Sequence, residues 1–121
     1  MRALIVEDEV LAAMHLEATL EDLGITSIGI AADQPNALRL AAEAPDLAFV
    51  DLNLRDGFTG PRIAATLADQ GVAILFVTAN PGQLGAARSL AADVIDKPFD
   101  DARVVSAVRS VAAARGLQPG A

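Results

Sequence analysis

Residues 47–51 read Leu47-Ala48-Phe49-Val50-Asp51. Four apolar residues in a row, with no polar alternation, predict a strand buried on both faces. The run meets Asp51 without a spacer, and a polar, glycine-containing loop, residues 53–60, follows. The same design recurs outward along the chain. Ala3-Leu4-Ile5-Val6 runs into Glu7 and Asp8, and residues 72–77 form an apolar run that ends at Thr78. Residues 26–30 carry the Thr and Ile content of a strand. Val94-Ile95 predicts a short fifth strand before Asp96 and the turn signal Lys97-Pro98.

Helical patterns fill the intervals. In residues 9–23, Ala13, Leu16, Leu20 and Leu23 share one face, His15 and Asp22 lie opposite, and Gly24 marks the stop. Asp33 and Pro35 open a second helix to about residue 44, which Pro45 ends. Pro61 suits the first turn of a third helix reaching about residue 70. Beyond the loop at Asn80-Pro81-Gly82, a helix over about residues 84–91 is expected, short or irregular. Asp100 can cap a last helix striped by Val104, Val108 and Val111. Five βα units predict a parallel sheet covered on both faces, with right-handed crossovers. The fold class is therefore α/β: a doubly wound (βα)5, flavodoxin-like sandwich with strand order 2-1-3-4-5. Residues 1–115 make one domain, and residues 116–121 a flexible tail or the start of a linker.

Composition narrows the function. The formal net charge of −7 argues against nucleic acid or an anionic membrane surface as partner. The chain has no cysteine, so disulfides, thiolate metal sites and a cysteine nucleophile are excluded together. No apolar run approaches the roughly 18 residues of a membrane span, and the first is too short for a signal-peptide core. A cytoplasmic location is expected.

In doubly wound sheets, sites form beyond the carboxyl ends of the strands. Glu7, Asp8, Asp51, Thr78 and Lys97 stand at those ends. Three acids gathered there would repel one another unless a cation sits among them. Carboxylates without cysteine or a nearby histidine favour a hard, oxygen-seeking divalent ion, and magnesium fits best. A backbone carbonyl from the following loop, that of Asn53, can complete the protein's share of ligands. Lys97 supplies a second cation, and the Thr78 hydroxyl can bond an anion above the sheet. Together these are parts of a phosphoryl-transfer site with Asp51 as nucleophile, magnesium on Glu7 and Asp8, and Lys97 and Thr78 on the phosphoryl oxygens. No side chain nearby is an obvious water-activating base, so the site is suited to receive and hold a phosphoryl group rather than to turn over quickly. His15 reads as a solvated residue away from the strand ends.

The set Glu7-Asp8, Asp51, Thr78-Ala79 and Lys97-Pro98-Phe99, in this order on this alternation, closely resembles the receiver domains of two-component response regulators. The resemblance implies phosphoryl transfer from a sensor histidine kinase or a histidine phosphotransfer protein to Asp51. It also implies magnesium on the acids, contact of Lys97 with the phosphoryl oxygens, and movement of Thr78 toward them. That movement would repack the face of the fourth helix, fifth strand and last helix, where a downstream partner or a second copy docks. Asn53 and Asn80 would line the approach of water and set the lifetime of the phosphoryl group. The pattern departs from the family in several places: Arg55 stands where a proline is usual, the loop up to Gly60 is one residue longer than the common form, and Val94 stands where an aromatic switch residue is usual. The stretch from Thr78 to Lys97 is also shorter than usual. Asp51-Leu52-Asn53-Leu54 with Asp56-Gly57 and Gly60 resembles the subgroup of alphaproteobacterial stress regulators and small stand-alone receivers.

Two other functions compete. A magnesium-dependent phosphohydrolase would also use Asp51, but commonly needs a second acid where this chain has Asn53, and a cap to hold substrate. A docking module that never uses its phosphate is the other, to which Val94 is suited. A dinucleotide-binding domain is disfavoured, because Glu7-Asp8-Glu9 stands where its glycine-rich turn belongs.

Overall fold

The computed structural model describes residues 1–119. Its strands are β1 (Arg2–Val6), β2 (Thr26–Ala31), β3 (Leu47–Val50), β4 (Ala73–Thr78) and β5 (Ala91–Asp96). Its α-helices are α1 (Val10–Asp22), α2 (Gln34–Ala41), α3 (Gly60–Asp69) and α4 (Asp101–Arg115). All strand pairs are parallel, in the order β2-β1-β3-β4-β5.

The unbroken apolar runs supply side chains to both faces of this sheet. Ala3, Ile5, Phe49, Leu75 and Val77 meet Leu16 and Leu20 of α1 and Val104 and Val108 of α4. Leu4, Val6, Val50, Ile74 and Phe76 meet Ala37 of α2 and Ile63 and Leu67 of α3. Phe49 and Phe76 are the largest fully buried side chains, one on each face. Burying a side chain of this kind is worth roughly 1.5–3 kcal/mol, so β3 and β4 anchor the sheet at its centre.

Local signals place the helix ends. Asp33 and Asp100 cap α2 and α4, accepting from the amides of Asn36 at 3.1 Å and Arg103 at 2.9 Å. Gly116 adopts a left-handed φ of 67°, its amide bonds Ala113, and the Leu117 amide bonds Ala112 at 2.8 Å. These two bonds form a Schellman cap, so the expected tail begins as an ordered helix terminus; residues 120–121 lie outside the described residues.

Two expectations, the end of the second helix and the length of the fifth strand, need correction, and that of a short or irregular fourth helix is met. The second helix stops at Ala41 rather than near residue 44, and Ala44 takes a left-handed φ of 54°. Between β4 and β5 the expected short, irregular helix is present as 3₁₀ rather than α-helix, in two turns, Pro81–Gln83 and Gly85–Leu90. The short span between Thr78 and Lys97, broken by Pro81, Gly82 and Gly85, leaves no room for a longer helix. The fifth strand is correspondingly longer than Val94-Ile95, because Ala91 and Asp93 also pair with β4.

Candidate functional site

The ladder itself gathers the acids. Val6 lies opposite Val50, and the Asp51 amide donates to the Val6 carbonyl at 2.9 Å. The Glu7 amide donates to Ala31 at 2.8 Å. Glu7 and Asp51 therefore leave adjacent strands at one level. On the other side of β3, Thr78 pairs with Asp96, and the Lys97 amide donates to Thr78 at 3.0 Å. Lys97 then enters a turn through a cis peptide bond to Pro98.

The side chains converge. Lys97 Nζ donates to Asp51 Oδ2 at 2.9 Å and forms an ion pair with Glu7 Oε1. The Leu52 amide donates to Asp51 Oδ1 at 2.7 Å. Glu7, Asp8 and Asp51 each bring one carboxylate oxygen within 4.8 Å of the others. Glu7 and Asp51 are buried, and Asp8 is exposed at the rim. Burial pushes the Glu7 carboxyl up from 4.5 to about 7, with Lys97 opposing and the Asp51 charge adding to the rise. For Lys97, burial acts to lower the ammonium, but the two carboxylates outweigh it and hold it above its ordinary value.

This donor set fits magnesium. It offers only carboxylate oxygens, which suits a hard ion. Glu7 Oε1 is buried, has no aligned hydrogen bond, and meets a positive charge only in its ion pair with Lys97. Glu7, Asp8 and Asp51 would hold the ion. When bound, it would supply positive charge against phosphoryl oxygens.

The remaining expected residues lie around this centre. Thr78 is buried at the end of β4, and its hydroxyl accepts from the Asn80 amide at 2.9 Å rather than bonding Asp51 or Lys97. Asn53 is exposed, with Nδ2 donating to Gln83 Oε1 at 3.0 Å. Asn80 is exposed before the first 3₁₀ turn.

Gly60 packs against the loop's base. A Cβ there would lie 2.0 Å from the Asp51 carbonyl oxygen and 2.7 Å from Leu52 Cα, a position only glycine can fill. Leu54 and Gly57 exchange backbone bonds of 2.8 and 3.0 Å. The Arg55 amide donates to Ala32 at 3.0 Å, a bond that a proline at that position could not make. Asp56 accepts from the Gln34 amide and the Thr59 hydroxyl, and these bonds, Thr59 first, hold its carboxyl below the usual range.

A profile of the response regulator receiver domain matches residues 3–109. The chain belongs to the receiver domain family. The receiver is 42% identical over 109 residues to the phyllosphere-induced regulator PhyR of Methylorubrum extorquens, covering 87% of this chain and 41% of that protein. It thus spans about two fifths of that relative's length. The solution structure of the Erythrobacter litoralis PhyR receiver domain superposes with a TM-score of 0.83 at 30% identity, over 91% of this chain and 88% of that one. The crystal structure of Brucella abortus PhyR superposes with a TM-score of 0.85 at 30% identity, over 95% and 49%. These likenesses agree with the stress-regulator subgroup named from the loop after Asp51.

Two features of this receiver escaped the sequence. His15 is exposed, as expected of a solvated residue, but it does not stand apart from the strand ends: its ring stacks on Phe99 and its Nε2 meets Asp101. Arg103 forks onto Asp93 at 2.9 and 3.1 Å and also reaches the Val94 carbonyl at 2.9 Å. The fork holds Asp93 below the usual carboxylate range. Both are tertiary pairings without a local motif. The nearest signal for the first was the aromatic Phe99 beside Lys97-Pro98.

Proposed function

We propose that this receiver accepts a phosphoryl group on Asp51 from a histidine kinase or histidine phosphotransfer protein, with magnesium, and thereby changes its protein contacts. The observation that carries this reading is the bond from Lys97 Nζ to Asp51 Oδ2, set beside Glu7 and Asp8. In the step, an Asp51 carboxylate oxygen forms a bond to phosphorus while the bond from phosphorus to the donor's imidazole nitrogen breaks. The donor leaves as a free imidazole. Lys97 gives up its contact with Asp51 for the new phosphoryl oxygens, and Thr78 turns its hydroxyl to them. Glu7, Asp8, Asp51 and the Asn53 carbonyl supply the magnesium ligands, and the domain acts in the cytoplasm.

The donor is a protein on this account. Val10, Leu11 and Met14 expose apolar side chains on the first turns of α1, directly after the acid pair. The response face comprises the 3₁₀ segment, β5 and α4, where a downstream protein or second copy would dock. A PhyR of Bartonella quintana, 28% identical, is described as an anti-anti-sigma factor. An output through a sigma-factor regulator is one form such a contact can take here.

Two assays on the same sample test the reading. Incubation with phosphoramidate and magnesium should place one phosphoryl group per chain. p-Nitrophenyl phosphate should show no sustained turnover. Steady nitrophenol release would instead establish a phosphohydrolase.

A further inference from the structure

His15 is the only histidine of the chain and Lys97 the only lysine. They line one cavity of about 410 Å³ with Phe99, Ala79, Glu9 and Leu11. The His15 ring stacks on Phe99 with centroids 5.1 Å apart and planes 15° apart. On its other side, Nε2 meets Asp101 Oδ1, which also accepts from the Thr19 hydroxyl at 3.0 Å. Asp101 opens α4, and Phe99 stands two positions beyond Lys97. The turn carrying Lys97 is thus gripped by α1 at Phe99 and at Asp101.

From this geometry we infer that His15 is a positioning residue for phosphoryl acceptance: its stack on Phe99 holds the Lys97–Phe99 turn so that Lys97 meets Asp51. His15 touches neither acid nor phosphoryl group, and it acts through Lys97. The inference rests on the phosphoacceptor reading for its chemical purpose. The placement of Lys97 can be measured without any phosphoryl transfer.

The test compares the whole chain with its His15→Ala and His15→Phe variants. The first readout is the rate at which limiting acetic anhydride modifies Lys97, followed by peptide mass in metal-free protein. Held against two carboxylates, Lys97 should react slowly. His15→Ala should speed its modification about threefold to tenfold, the size of one aromatic contact expressed as a rate. His15→Phe keeps an aromatic ring on Phe99 and should restore slow modification. Unchanged reactivity in His15→Ala, or a His15→Phe variant that behaves like the alanine variant, overturns the inference.

The second readout is the rate of phosphorylation by acetyl phosphate across magnesium concentrations. His15→Ala should lower the maximal rate by a similar factor while the half-saturating magnesium concentration stays unchanged, because the acids are untouched. A faster-reacting Lys97 with an unchanged phosphorylation rate also overturns it. If the unsubstituted chain shows the Lys97 effect but takes no phosphoryl group, the phosphoacceptor reading has failed, and the catalytic purpose of the His15 contact fails with it.

Discussion

The loops that follow β3 and β4 leave the same end of the same sheet, yet they are built differently. The loop from Asp51 to Gly60 is fastened from several directions. Gly60 lies against its base, Leu54 and Gly57 bond each other, Arg55 bonds Ala32, and Asp56 holds the start of α2. The segment from Ala79 to Leu90 is held mostly to itself. Its backbone bonds join Gln83 to Asn80, Leu84 to Pro81 and Ala87 to Leu84; Leu84 is its one buried side chain, and Ala87 and Leu90 are partly buried against the core. Asn53 and Gln83 link the two loops through a single exposed bond. A site that must hold an acceptor carboxylate needs a fixed floor. A neighbour that must respond to new charge needs a shallow one.

The comparison breaks first at Gly60. Gly60→Ala forces a Cβ into the Asp51 carbonyl, and we expect a loss of about 3 kcal/mol or more in urea unfolding, with Asp51 displaced. A variant of normal stability would show that the loop after β3 is not rigid. Leu84→Ala should cost about 2 kcal/mol, at the low end for a buried leucine, because the thinly held segment can collapse into the space. Its amides from residues 81–90 should then exchange faster, while those of residues 54–60 stay protected. Equal loosening of both loops would erase the distinction.

A smaller effect comes from pH. The folded value for Glu7, about 7, lies above its ordinary 4.5, so the folded chain holds a proton that the unfolded chain has already lost. Stability from that proton is fully present below 4.5 and drains away as pH rises toward about 7. Metal-free protein should therefore melt at lower temperature at pH 7.5 than at pH 5.5. Glu7→Gln should flatten this slope, and a slope unchanged by that substitution would contradict the origin assigned to it. The smallest effect belongs to Arg55→Pro, which removes the bond to Ala32 and should cost about 1 kcal/mol by thermal melting. A stabilised variant would show that the departure at this position serves something other than fastening the loop.

The pinned region was also the more legible one. Unbroken apolar runs ending in acids mark parallel strands, so the position of Glu7, Asp51 and Lys97 at the strand ends is legible in the sequence alone. The segment after β4 read poorly because its Pro and Gly residues remove helix signals without specifying what replaces them. Periodicity put His15 correctly on the solvent face of α1 but could not show what it touches there, because it assigns a helix face only as core or solvent. Its partners, Phe99 and Asp101, lie far along the chain, and no local pattern announces such a contact. The Arg103 fork onto Asp93 escaped for the same reason.

The central claim is that Asp51 is the phosphoacceptor and that the adjacent acids make its reaction depend on magnesium. It is tested most directly by intact mass after incubation with acetyl phosphate, with and without magnesium, on this chain and on Asp51→Asn. The account predicts a single phosphoryl adduct that requires magnesium and is lost in Asp51→Asn. An adduct that persists in the variant, or that forms equally well without magnesium, would contradict it.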